Sequence, residues 1–88
     1  MDLSFSGTLL RFIDFQKRIS LDASTVNEAL SKVATKYPKA RPVLYDGDGR
    51  VRQVHQIFLN GKQLVPSDFD TVLNPSDQLD VLTAIAGG

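Results

Sequence analysis

Leu3 and Phe5 alternate with Asp2, Ser4 and Ser6 as far as Gly7, the period-two pattern of a strand with one buried face. Thr8–Asp14 is apolar without clean alternation and reads as a connection whose leucines and Phe12 cover one end of the core. Alternation returns from Phe15 to Leu21, with Lys17, Ile19 and Leu21 on one side, which predicts a second strand hairpinned to the first. After a turn at Asp22-Ala23-Ser24, Thr25-Val26-Asn27-Glu28 fits a capping box, in which Thr25 accepts from the helix N-terminus and Glu28 reaches back. Val26, Ala29, Leu30, Val33, Ala34 and Tyr37 then recur at helical spacing, with Ser31, Lys32 and Lys36 away from that stripe, so an amphipathic helix of about three turns is expected. Pro38 ends it, because proline lacks an amide donor and disfavours the helical conformation in the residue before it.

Lys39–Gln53 is polar and punctuated, with Val43, Leu44 and Tyr45 available to pin it to the body. Its Asp46-Gly47-Asp48-Gly49 cluster reads as a turn between two short extended pieces. The two aspartates would repel a phosphate, no Gly-Lys-Ser/Thr follows, and the acids lack calcium-loop spacing. Val54–Leu59 has the strongest strand composition in the chain, and Asn60-Gly61 supplies the two positive-φ positions of a tight hairpin. Lys62–Val65 is the return strand, ended by Pro66. Ser67–Leu73 reads as a turn of α- or 3₁₀-helix carrying Phe69, Val72 and Leu73 inward, and Asn74–Asp77 as a further turn. Gln78–Thr83 alternates again. A hairpin, one amphipathic helix and later strands sharing one core predict an α+β fold, a mixed sheet laid on one main helix in the β-grasp arrangement.

Composition narrows the chemistry. In 88 residues, 42% of them hydrophobic, a single core can form without staples. Ten basic side chains balance ten acidic ones, which provides no overall electrostatic footprint for nucleic acid or an anionic membrane. With no cysteine, disulfides, thiolate metal sites and a cysteine nucleophile are excluded from this chain. No apolar run approaches the roughly 18–20 residues that span a bilayer, and Met1-Asp2-Leu3-Ser4 is unlike a secretory signal, so a cytoplasmic location is expected. The single histidine, His55, shares a strand face with Ile57 and Leu59 and reads as a partly buried structural residue rather than a base or metal ligand. Asp22, Asp68, Asp70 and Asp77 fall in turns, where aspartate serves local hydrogen bonding. Arg11 and Arg18 read as a solvated face.

The chain closes on Ala84-Ile85-Ala86-Gly87-Gly88, a small uncharged run that packing does not require, since glycine buries no side chain and loses the most entropy on ordering. Residues 1–83 are expected to form the domain and 84–88 a flexible tail that a narrow channel can close around. In the strands before it, Ile57 and Leu59 facing the helix would put Val54, Gln56 and Phe58 on the opposite face, and Leu79 and Val81 inward would put Asp80 and Leu82 outward. Phe58 and Leu82 are thus expected to form an exposed apolar patch, with Gln56 beside it, suited to a protein partner.

Ile57–Leu64 is similar to the central hairpin of ubiquitin, and the chain likewise ends in Gly-Gly. Thr25-Val26 opening the helix, Tyr37-Pro38 closing it, Asn60-Gly61, Asp77 before the last strand and Ala86-Gly87-Gly88 resemble the ThiS and MoaD-like sulfur-carrier branch of that superfamily. The long Leu44–Arg52 segment resembles the longer carriers that serve amino-acid biosynthesis, of which the mycobacterial cysteine-forming carrier is one. Ser76 departs from the glycine common there. The resemblance implies a carrier that is not itself an enzyme and binds no cofactor or metal. A ubiquitin-activating-type partner would use ATP and magnesium to adenylate Gly88. Sulfide or a sulfur-donor protein would convert it to a thiocarboxylate, and a downstream enzyme would accept the sulfur. Ile85, Ala86 and Gly87 would enter the partner's channel as the tail, with Ile85 adding a contact inside it. Two alternatives share the same tail: a modifier conjugated to lysines, and the small subunit of a molybdopterin-synthase-type heterodimer.

Overall fold

A computed structural model describes residues 1–83. Five strands, β1 (Asp2–Gly7), β2 (Arg18–Ser20), β3 (His55–Leu59), β4 (Lys62–Leu64) and β5 (Gln78–Thr83), form one sheet in the order β2-β1-β5-β3-β4. The pairing of β1 with β5 is parallel and the other pairings are antiparallel, so the sheet is mixed. Helix α1 (Val26–Lys36) supplies Val26, Ala29, Leu30, Val33 and Ala34 to a core completed by Leu3, Phe5, Ile57, Leu79 and Val81 from the sheet. This is the α+β β-grasp architecture that the order of elements predicts.

At the start of α1, Thr25 Oγ1 accepts from the Glu28 N–H at 3.1 Å. The return half of the expected capping box is not made, because the Glu28 carboxylate turns instead to Lys32, 3.4 Å away and one turn on. The hairpin at Asn60-Gly61 has the predicted left-handed backbone, φ 50 and 86.

Four expectations need correction, each for a packing reason. The second strand is three residues, not seven: Leu9 and Ile13 are wholly buried and draw Thr8–Phe12 into a 3₁₀ turn, and the chain then reverses through Asp14 and Phe15, both at φ 56. The buried residues of that connection are Leu9 and Ile13, whereas Phe12 is 36% exposed. Within Lys39–Gln53, Pro38–Ala40 is a 3₁₀ turn that runs into a short helix, α2 (Arg41–Leu44), because Ala40 and Leu44 are completely buried. The predicted turn follows it, closed by a Tyr45–Val51 bridge. Last, Phe69 and Leu73 point inward but Val72 is 72% exposed. Val72 bridges Thr25 edge to edge, and the alternation that buries Leu73 turns its neighbour out.

Candidate functional site

β5 lies between β1 and β3 at the centre of the sheet, and its period of two places Leu79, Val81 and Thr83 in the core and Asp80 and Leu82 on the open face. The register then fixes their neighbours. Leu82 stands opposite Gln56 on β3 and Ser6 on β1, while Asp80 stands opposite Phe58 and Ser4. Phe58 and Leu82 are therefore diagonal neighbours on one face, about 7–8 Å apart in such pairs and within reach of an aromatic ring. Leu82 is 43% exposed, Phe58 is half-buried and Gln56 is exposed. The fold thus brings together the three residues Gln56, Phe58 and Leu82 that alternation selects for this face. Asp80 takes the outward position that the alternation gives it, and its hydrogen bonds are what the pattern alone does not show. It accepts from Ser4 Oγ and from Gln78 Nε2 (2.9 Å), which ties a polar border to the apolar pair; the serines alternating along β1 are the signal that could have revealed it.

The end of β5 is held by buried polar bonds. His55 Nδ1 lies 3.0 Å from Thr83 Oγ1 and Nε2 lies 2.9 Å from the Val43 carbonyl. The carbonyl can only accept, so Nε2–H donates to it, and in the neutral ring Nδ1 then accepts from the threonine hydroxyl. Burial pushes the His55 pKa below its ordinary value, outweighing the Val43 bond. This is the structural role expected for His55, with the added consequence that it clamps the last described residue of the strand.

On its β1 side, Thr83 is paired with Gly7, whose φ is 89 and whose missing Cβ leaves room for the Thr83 carbonyl. The other end of β5 is fixed by Asp77, which accepts from the Asn74 N–H (2.7 Å) and from Asn60 Nδ2 (3.0 Å), while Asn60 Oδ1 accepts from the Gln78 N–H (2.9 Å). These donors, the Asn74 amide first, hold the Asp77 carboxyl below its usual range. Thus the β3–β4 turn and the entry to β5 are one hydrogen-bonded unit.

Ile85, Ala86, Gly87 and Gly88 lie outside the described residues. Among the described residues, no group of three His, Asp or Glu side chains is placed to hold a metal ion, and no helix is long and apolar enough to cross a membrane.

Fold and open face together define a small β-grasp protein of the ubiquitin-like class. The ThiS family model matches residues 5–88, and the chain belongs to that family. It is accordingly a small ubiquitin-like carrier protein and not a catalyst in its own right. Among solved structures, the small archaeal modifier protein 1 (SAMP1) from Methanosarcina acetivorans superposes with a TM-score of 0.82 at 20% identity, covering 99% of this chain and 94% of that one. CysO from Mycobacterium tuberculosis gives 0.79 at 20% identity, covering 96% and 98%. A chain of the Amycolatopsis orientalis BexX/CysO complex gives 0.81 at 18% identity, covering 99% and 98%. A sequence search of curated proteins finds no match.

Proposed function

We propose that this protein carries sulfur on its C-terminal glycine. The observation that supports this most is the construction of β5: a central strand, clamped at Thr83 by His55 and packed on Gly7, with Ala84–Gly88 still to follow. Such an anchorage gives a tail a fixed origin beside the Phe58–Leu82 face, on which an adenylating partner can dock. In this reading the Gly88 carboxylate attacks the α-phosphorus of ATP on the partner, which also holds the magnesium, and pyrophosphate leaves. A carboxylate is a poor acylating group, whereas the acyl adenylate has AMP as a good leaving group. Sulfide then displaces AMP and leaves a thiocarboxylate on Gly88; when the persulfide of a donor protein attacks instead, AMP leaves from an acyl disulfide whose S–S bond a second thiol must cleave, itself ending in a disulfide, to release the same thiocarboxylate. The thiocarboxylate gives its sulfur to an acceptor in the biosynthesis of an amino acid, cofactor or other sulfur metabolite. ATP dependence assigns the work to the cytoplasm.

The relative named as a modifier motivates a second reading, in which a lysine amine and not sulfide displaces AMP and forms an isopeptide bond. A third, a permanent small subunit of a molybdopterin-synthase-type pair, predicts tight co-purification with a larger chain. Intact-mass measurement after incubation with the adenylating enzyme, ATP, magnesium and sulfide separates these: replacement of one oxygen by sulfur supports the carrier, and lysine-linked adducts support the modifier.

A further inference from the structure

The ten basic and ten acidic side chains cancel in number but not in position. Where β5 finishes beside Gly7 and His55, the surrounding elements are basic. Phe12, Asp14, Lys36, Tyr37, Pro38 and Lys39 line one cavity of about 210 Å³, which joins the first 3₁₀ turn to the C-terminus of α1. Arg41 reaches back to Thr35 Oγ1 (3.4 Å), and Arg52 Nε donates to the Pro42 carbonyl (3.0 Å), next to the Val43 carbonyl that His55 holds. Lys17 lies across β1, its carbonyl accepting from the Phe5 N–H (2.9 Å). Arg11, Lys17, Lys36, Lys39, Arg41 and Arg52 are all exposed there, against two carboxylates, Asp14 and, beside Arg41 and Arg52, Asp46. At the opposite end, where β1, β5 and α1 begin, Asp2, Asp22, Glu28, Asp68, Asp70 and Asp77 outnumber Lys32, Lys62 and the Met1 ammonium. Lys32–Glu28 is the one ion pair among the described residues, so none of the six basic side chains is in direct contact with a carboxylate of the described residues, although Asp46 is near enough to Arg52 to feel its charge.

Phe15 stands in the basic surface, 67% exposed, with Phe12 three residues before it. Asp14 and Phe15 both adopt φ 56, a left-handed backbone that costs a non-glycine residue about 1–2 kcal/mol, and the Phe15 N–H to Leu10 carbonyl bond (2.8 Å) holds the reversal in place. Strain that keeps an aromatic ring in water suits a binding anchor better than a core residue.

We propose that this basic, aromatic-centred end is a second docking surface, which steers the chain onto an acidic protein surface bordering the site that receives residues 84–88. It rests on the carrier reading and adds the charge of the partner. Arg11, which its sequence context marks only as solvated, becomes part of this surface. A protein surface fits better than a nucleic acid because the molecule measures 33 × 25 × 23 Å, and a polyanion running past the basic end would meet the acidic one. A folded acidic surface meets one end alone.

The test measures the association rate of the full chain with the adenylating enzyme of its host at low and high salt, beside the intact-mass assay. Reversing the exposed pair Lys36→Glu and Lys39→Glu is expected to slow association about tenfold or more at low salt and little at high salt, within the range that steering produces. Asp22→Lys with Asp70→Lys, at the other end, is expected not to slow it. Circular dichroism checks that each variant is folded, and Arg41→Glu with Arg52→Glu serves as a second reversal at the basic end. Gly88 conversion with a rate insensitive to salt and to both basic-end reversals would overturn the docking surface and leave the carrier reading intact. Salt-dependent, reversal-sensitive binding with no change at Gly88 would do the opposite. Tighter binding of an oligouridine than of the enzyme would replace the acidic protein with nucleic acid, and failure of the unaltered chain to bind the enzyme would remove the inference.

Discussion

A Cβ added to Gly7 would stand 2.2 Å from the carbonyl oxygen of Thr83. That contact is to backbone, which cannot rotate away, and the Gly7 φ of 89 adds strain for any L side chain. Gly7→Ala should therefore destabilise the fold by about 2 kcal/mol or more and loosen the end of β5. Gly61→Ala, with φ 86 but open space around it, carries only the backbone cost and should lose about 1–2 kcal/mol. Urea denaturation of the two variants checks the ranking, which equal losses would contradict.

His55 makes stability depend on pH. Its folded pKa lies below the unfolded one, so above about pH 6.5 both states are neutral and the contribution is complete. As pH falls below that, the unfolded chain takes up a proton first and stability declines until the folded pKa is passed. Urea midpoints at pH 7.5 and 5.5 should fall in the unaltered protein. In His55→Gln the slope over this window should flatten, although the baseline will be lower because Thr83 and Val43 lose a partner.

On the open face, Leu82→Ala should change stability by about 0.5 kcal/mol or less, since the side chain is 43% exposed. Phe58→Ala should cost more, about 2 kcal/mol, because most of the residue is covered. If this face docks the adenylating partner, both substitutions should raise the KM for the carrier roughly tenfold or more while kcat changes little, the pattern of lost uniform binding. Gln56→Ala, at the edge of the patch, should have a smaller effect. Unchanged KM for Phe58→Ala and Leu82→Ala would place the docking face elsewhere.

Local chemistry made most of the fold legible. The Asn60-Gly61 turn, the Thr25 cap and the alternation of β1, β3 and β5 each depend on residues adjacent in sequence, and each appears where the pattern puts it. The grouping of Gln56, Phe58 and Leu82 on one face follows from the same alternation once β3 and β5 pair. What escaped depends on distant partners. α2 exists because Ala40 and Leu44 reach the core, which the prolines and arginines around them conceal. Val72 turns outward where Thr25 bridges it, and Asp14 and Phe15 turn left-handed after Ile13 has been drawn into the core, and neither the bridge nor that packing can be read from a window of neighbouring residues. The charge polarity was invisible in a balanced composition, since it arises only when segments 11–17, 36–41 and 52 meet at one end.

The carrier reading is tested most directly by intact-protein mass spectrometry of the chain after incubation with ATP, magnesium, sulfide and the adenylating enzyme of its host. The expected result is the mass gain of one oxygen replaced by one sulfur, dependent on ATP and abolished by deleting Gly88. An unchanged mass in the presence of an enzyme shown to be active on its own carrier would contradict the assignment of sulfur to Gly88.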